Sequence, residues 1–390
     1  MATVLHRPRV SGAADRVPSS TIRDLLALTA DDRVLSLAGG LPAVGHVHDP
    51  VLAELAAQVL ADPAAAQYGT TEGWAPLRAW AAGTLAEPPA DSADVRITHG
   101  SQQALDLVVR TLVDPGDTVV VEHPTYLGAA QVLAAADAAV TAVPVDDDGL
   151  DTARLADALA AGLRPRLCYL APTYQNPSGV VMSAERRVHL GGLADRYGFV
   201  VVDDDPYRDL GFAPPPPRLR AGVPPEWSVT QGTASKVLAP GLRVGWVHGP
   251  GWLIDPLTRL KQAADLHTST AAQRLVAEAV TRPGWLEGRS VRLTALYRHR
   301  AGVLASALRW AAGDRLTFAA PRGGMFLWAR LARGRATDLL PAALARGVAF
   351  VPGAAFALAD PPDDHLRLCF ATLGDDDLRT AADRLAAALD

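Results

Sequence analysis

The chain has 390 residues, 49% of them hydrophobic and 20% charged, with a formal net charge of -5. That length exceeds one ordinary domain, the composition suits a soluble globular enzyme, and the acidic balance gives no reason to expect nucleic acid as a partner. No apolar run is long enough to cross a bilayer and the start MATVLHRPRV lacks a signal-peptide core, so a cytoplasmic protein without membrane contact is expected.

After some polar residues, Ser19 or Ser20 can cap a helix through Ile22, Leu25, Leu26 and Leu28 that carries Arg23. SLAGGLPAVG, Ser36 to Gly45, has paired glycines that let the backbone pass close to a ligand, although alone it reads as a turn. The His46-x-His48 pair reads as loop, and no metal site is expected. A helical pattern from Pro50 leads to QYGTTEGWAPLRAW, Gln67 to Trp80, and Val95 to Thr98 is a short strand. In HGSQQALDLVVRTLVDPGD, Ala104, Leu105, Val108, Val109 and Leu112 recur at helical spacing. The helix therefore begins near Ser101 and ends before Pro115, which leaves Ser101 and Gln102 where free N–H groups and the helix dipole favour an anion.

TVVVEHPTY, Thr118 to Tyr126, reads as a buried strand running into a loop. A helix over Asp151 to Ala161 leads to the strand Leu167 to Leu170, which ends in APTYQNPSG, where Pro177 and Gly179 fix the direction of Asn176. After a helix over Ala184 to Tyr197, FVVVDDDPYRDL gives a strand ending in three aspartates, of which one is expected to point inward and the others to water. The proline-rich residues 213 to 225 read as a surface loop. Beyond Trp246 come helices to about Arg282, a boundary at Pro283-Gly284, a long helix over about Leu286 to Trp310, and a second unit of short strands and a C-terminal helix. Cys168 and Cys369 lie in strand-like runs and read as buried thiols. The alternation of apolar runs and helices over residues 95 to 250 argues for a mostly parallel sheet covered on both faces.

The densest chemistry lies in TQGTASKVLAPGLRVGW, Thr230 to Trp246. A partly desolvated Lys236 near another cation has a lowered pKa and becomes a nucleophilic amine, while the hydroxyls around it and Arg243 suit a phosphate. The stretch resembles the SxSKxxxPGLRxGW motif of the fold-type I pyridoxal phosphate aminotransferases, in the kynurenine/2-aminoadipate branch, and the resemblance covers most of residues 20 to 375. Ala234, where that family prefers an aromatic, and Asp203, where close relatives often have glutamate, are departures.

The resemblance implies an α/β fold: a large domain, residues 49 to 283, with a mostly parallel seven-stranded sheet, and a smaller α+β domain made of residues 284 to 390 and the N-terminal arm and helix, residues 1 to 48. It implies pyridoxal 5'-phosphate held by Lys236 as a Schiff base. Asp204 pairs with the ring nitrogen, Asn176 and Tyr207 with the phenolic oxygen, and Tyr126 stacks on the ring. Ser101, Gln102, Thr233, Ser235, Arg243 and, across a homodimer boundary, Tyr68 hold the phosphate. Arg367 binds the substrate α-carboxylate, and Gly40 and Leu41 contact the substrate. Arg23 reads either as the contact for a distal carboxylate or as a solvated helix residue.

The activity implied is amino transfer between an L-amino acid and a 2-oxo acid, with glutamate/2-oxoglutarate as one partner. The alternatives are another carbanion reaction on the same cofactor (elimination, decarboxylation, cyclisation or racemisation) and a non-catalytic effector module like that of MocR-type regulators. The second is disfavoured because only about 20 residues precede the first matched helix.

Overall fold

Uninterrupted apolar runs become the interior of one large sheet in the computed structural model, which describes residues 9–17, 33–47, 49–85, 89–214, 216–358 and 363–390. Its strands lie in the order Val95–Thr98, Gly245–His248, Ser228–Thr233, Val200–Asp204, Leu167–Leu170, Thr118–His123, Ala139–Asp146 and Gly149–Leu150. The neighbours from Ser228–Thr233 to Ala139–Asp146 run parallel, and Gly245–His248 is antiparallel to the strands on either side. The sheet has 8 strands rather than the seven expected. The extra one, Gly149–Leu150, is a hairpin return on Val145 and Asp146, too short to leave a periodic signal.

Strands Leu167–Leu170, Val200–Asp204 and Ser228–Thr233 are buried at every position because helices cover both faces. Val119, Val121, Tyr169 and Val202 pack with Leu105, Val108 and Leu257 on one face, while Val120, Cys168, Leu170 and Val201 pack with Leu155, Leu190 and Phe199 on the other. This is the two-residue alternation of a strand buried on both sides. Local chemistry sets the helix ends. Ser183 Oγ accepts from the Arg186 N–H and Gly198, at φ 69°, stops the helix, so Ala184–Tyr197 has the bounds expected. The long helix runs Trp285–Ala312.

A second sheet is antiparallel. Phe326–Leu331 pairs with His365–Cys369, placing Trp328 opposite Arg367, and Leu316–Thr317 and Val351–Pro352 flank them. Leu35–Ser36 pairs in parallel with Val348–Ala349, and Cys369 N–H donates to Leu37 O at 2.8 Å, which carries residues 33–47 across to the second sheet. The proline-rich segment is not wholly surface. Leu219 and Val223, between its two proline blocks, are buried in the cluster around Leu190 and Leu193, and Arg220 is buried with its Nη1 donating to Leu85 O at 2.8 Å.

Both cysteines are buried and free. Among the described residues no helix is long and apolar enough to cross a membrane, and no group of three or more His, Cys, Asp and Glu could hold a metal. His46 is half-buried in a short helix, Val44–Val47, rather than in a loop, and the helix expected to carry Arg23 lies outside the described residues, as does His48.

Candidate active site

Parallel strands deliver their carboxyl ends to one edge of the sheet, and the loops that leave that edge form the site. Gly40, Leu41, Ser101, Gln102, Tyr126, Asn176, Asp204, Tyr207, Thr233, Ser235, Lys236, Arg243 and Arg367 line one cavity of about 270 Å³. Tyr68 does not join them: it is 79% exposed, its ring edge-on to His267 at 5.7 Å. Arg23 lies outside the described residues.

At one end of the cavity the helix begins at Gly100, with Ser101 and Gln102 in its first turn. Arg243, in the left-handed region at φ 51°, turns its guanidinium over that helix start and donates to His99 O at 3.3 Å. The approach depends on Gly245, where a Cβ would lie 2.5 Å from the Gly100 carbonyl carbon and 2.7 Å from Ser101 N. Thr233 Oγ1 donates to Ser235 Oγ at 2.9 Å and accepts from Ser235 N–H at 3.1 Å, which folds the turn before Lys236 on itself. Tyr126 OH donates to Gln102 Oε1 at 3.3 Å, and Gln102 in turn donates to Gly128 O at 3.0 Å. The combination of helix N–H groups, hydroxyls and a guanidinium is suited to a phosphate dianion.

At the floor, Asp204 Oδ2 accepts from Tyr169 OH at 2.7 Å, while Oδ1 is buried without a partner. Burial, helped by Asp205, pushes the carboxyl up to about 6, against the Tyr169 hydrogen bond, the nearby Gln231 amide and the charge of Lys236. A buried carboxylate oxygen left open calls for a donor, and a protonated ring nitrogen is one. Lys236 Nζ donates to Gly40 O at 3.0 Å and lies 5.7 Å from the centre of the Tyr207 ring. Burial pulls its pKa down to about 8, with Arg367 and Arg243 acting in the same direction, so a useful fraction is the free amine near neutral pH. These features fit pyridoxal phosphate: an amine, an open carboxylate oxygen and an anion cradle facing one cavity.

Arg367 is held without a carboxylate. Its Nη1 donates to Asn176 Oδ1 at 2.9 Å and its Nη2 to Ala38 O at 2.6 Å, while the guanidinium carbon lies 4.1 Å from the Phe326 ring centre and 4.8 Å from that of Phe356. Burial lowers its pKa to about 10, which still leaves it charged. Because the Asn176 oxygen is committed to Arg367, its NH₂ is the end left for the cavity.

The aspartate triplet differs from expectation, since Asp203 and Asp205 are buried along with Asp204. Arginines from other segments make this tolerable: Asp205 Oδ2 accepts from Arg218 at 3.0 Å with Arg208 at 3.7 Å, and Asp203 lies in the field of Arg187 and Arg218. Burial and the neighbouring Asp205 nevertheless push Asp203 up to about 7. Sequence reasoning also missed Tyr169, Phe326 and Glu122. Glu122, raised to about 7 by burial, accepts from Ala171 N–H at 2.9 Å and from Gln175 Nε2 at 3.3 Å, steadying the loop that carries Asn176. For Tyr169 a signal existed: a hydroxyl inside a buried strand needs a partner, and the neighbouring strand ends in carboxylates.

A half-buried strand-end amine facing an anion-receptive helix start defines an enzyme that carries a phosphorylated aldehyde on a lysine. Comparison with known proteins narrows this class. Residues 32–385 match the family model of aminotransferase class I and II. The chain is 39% identical over 385 residues to a 2-aminoadipate transaminase of Thermus thermophilus, covering 96% of this chain and 95% of that one. It is 37% identical over 385 residues to aromatic-amino-acid aminotransferase 1 of Thermococcus litoralis, covering 94% and 91%. The crystal structure of an α-aminoadipate aminotransferase from Thermus thermophilus, complexed with N-(5'-phosphopyridoxyl)-L-leucine, superposes with a TM-score of 0.90 at 37% identity over 97% of each chain. The chain therefore belongs to the class I and II aminotransferases. It has the fold of type I pyridoxal phosphate enzymes, uses that cofactor, and acts on amino acid and 2-oxo acid substrates.

Proposed function

We propose that amino transfer is carried by Lys236 and Asp204 acting across the cavity, with Arg367 holding the substrate. The supporting observation is the half-buried Lys236 amine, drawn down to about 8, in one cavity with a carboxylate whose Oδ1 has no partner. Bound there, pyridoxal phosphate supplies an aldehyde for amines and a ring that withdraws electrons. Asp204 keeps the ring nitrogen protonated, and Asn176 NH₂ and the Tyr207 hydroxyl hold the phenolic oxygen. Tyr126 covers the ring, and Ser101, Gln102, Thr233, Ser235 and Arg243 grip the phosphate. Arg367 fixes the α-carboxylate so that Lys236 Nζ can take the proton from the substrate Cα.

The substrate pair is an L-amino acid and a 2-oxo acid with glutamate/2-oxoglutarate as one member. The names of the relatives, 2-aminoadipate and aromatic amino acid aminotransferases, support a pocket that accepts both a distal carboxylate and an apolar side chain. Leu41 and Phe326 line the apolar part, and Arg23 is our candidate for the distal carboxylate. The exposed Tyr68 supports a homodimer in which it reaches the partner's phosphate. The pairing of Leu35–Ser36 with Val348–Ala349 supports a small domain built from residues 1 to 48 and 284 to 390, with residues 49 to 283 as the large domain.

Lys236→Ala is expected to remove the absorbance band of the lysine-linked cofactor and to lower turnover by about 10²- to 10⁴-fold. A retained band or retained turnover refutes the assignment. A screen of amino donors against 2-oxo-acid acceptors, with 2-oxo acid and ammonia both measured, then tests the substrate pair; ammonia release without acceptor consumption would point to elimination instead.

A further inference from the structure

Arg289 lies in the long helix Trp285–Ala312, outside the cavity, and is among the most completely buried large side chains of the protein. Its guanidinium reaches two other chain segments. Nε donates to Val237 O at 2.8 Å and Nη2 to Leu238 O at 3.0 Å; Nη2 also donates to His46 O, and Nη1 to Asp49 Oδ2 at 2.6 Å. Val237 and Leu238 directly follow Lys236. His46 and Asp49 close the segment that opens with Gly40 and Leu41, the mouth of the cavity. Asp49 is itself anchored, since its Oδ1 accepts from Val51 N–H at 2.8 Å at the start of the helix Pro50–Ala61. Further along the same long helix, Tyr297 OH accepts from Ala43 N–H at 3.1 Å, a second tie to the mouth.

We infer that Arg289 is a positioning residue that holds the Lys236 turn and the mouth segment, residues 40 to 47 with Asp49, in one fixed relation. The inference rests on the role proposed above for Lys236. A lysine amine sits at the end of a flexible stem, so its reach is fixed by where its backbone is held. The bond from Nζ to Gly40 O ties lysine to mouth only while the amine is unengaged. The Arg289 bonds are made to backbone carbonyls and to Asp49, so they persist whatever the amine is doing. A buried guanidinium is costly to maintain merely to fill space. Here four of its N–H directions are used, on partners from the two segments that must stay aligned.

The test compares Arg289→Met and Arg289→Lys with Leu308→Ala, a buried change on the same helix and remote from the cavity, as the control for lost stability. Three quantities are read: the rate at which the apoprotein captures pyridoxal phosphate, followed by absorbance, and kcat and KM of the loaded enzyme. Arg289→Met is expected to slow capture and lower kcat by about tenfold each and to raise KM for the amino donor, as misplacement of a reacting group does. Arg289→Lys should recover part of each loss. Leu308→Ala should lower the melting temperature and leave all three unchanged. If Arg289→Met behaves like Leu308→Ala, the inference is wrong. Should Arg289→Met fail to fold, Arg289→Lys decides, and wild-type capture and kinetics in that variant overturn the proposal. Lys236→Ala measured in parallel separates the two levels: a retained cofactor band there overturns the parent reading, whereas a lost band with unaffected Arg289 variants overturns this inference alone.

Discussion

The floor of the cavity and its rim are built by different means. On the floor, Asp204 ends a strand that is paired on both sides, Asp204 itself in register with Gln231 and the adjacent Asp203 with Leu170. Asn176 and Tyr126 leave the ends of neighbouring strands in the same sheet. Backbone hydrogen bonds fix Asp204 in the sheet directly, and the loops that carry Tyr126 and Asn176 start from strands held in the same sheet. The rim has no such lattice. Gly40 and Leu41, the latter at 47% exposure, come from a loop, and the mouth is located by side chains that reach it from elsewhere: Lys236, Tyr297 and Arg289. On the roles proposed above, the cofactor contacts of Asp204, Asn176 and Tyr126 fall to the sheet-built region and substrate contact to the region whose backbone can vary.

Substitutions can break or sharpen that contrast. The largest effect is expected from Arg367→Ala, which removes a charge already held in place by a paired strand of the second sheet. kcat/KM should fall by about 10²- to 10³-fold, mostly through KM for both amino and oxo acids, as loss of a buried partner for a charge does. A loss below about tenfold would show that the α-carboxylate is bound elsewhere. Tyr169→Phe comes next. Its hydroxyl donates to the Asp204 carboxylate, so losing it leaves the charged form less favoured and raises further a pKa that burial already holds at about 6. Activity that needs Asp204 ionised falls as pH drops through its pKa in the loaded enzyme, so the acid limb of the kcat/KM profile should move to higher pH by about one unit. An unmoved limb would separate Asp204 from the rate. The smallest effect belongs to the rim: Leu41→Ala should change kcat/KM by less than about tenfold, unequally between aromatic and small aliphatic donors, with cofactor binding unchanged. Equal loss for every donor, or weaker cofactor capture, would erase the distinction.

The same contrast explains what could be read in the chain before its structure. The parallel sheet, the helix at Gly100 and the turn carrying Lys236 were legible because each is written in consecutive residues: an apolar run, a helical spacing, a motif. The helix Ala184–Tyr197 matched its expected bounds because Ser183 and Gly198 punctuate it locally. What was missed depends on distant partners. Arg289 finds its four acceptors 51, 52, 240 and 243 residues away, and nothing in the pattern around it marks it as buried. The aspartate triplet was expected to be mostly solvated because the arginines that make its burial tolerable, Arg187, Arg208 and Arg218, lie in other segments. Tyr68 needs a second subunit for its expected role, which no single chain can display.

Both hydrogen-bond acceptors of the Arg367 guanidinium, the Asn176 amide oxygen and the Ala38 carbonyl, are electrically neutral. They fix its orientation without cancelling its charge, and the two phenylalanine rings shield it from water. On the role proposed for Arg367, the protein therefore carries an unanswered positive pole between turnovers, and any small organic acid in the surrounding medium becomes a competitor for the place where the next amino acid is to land.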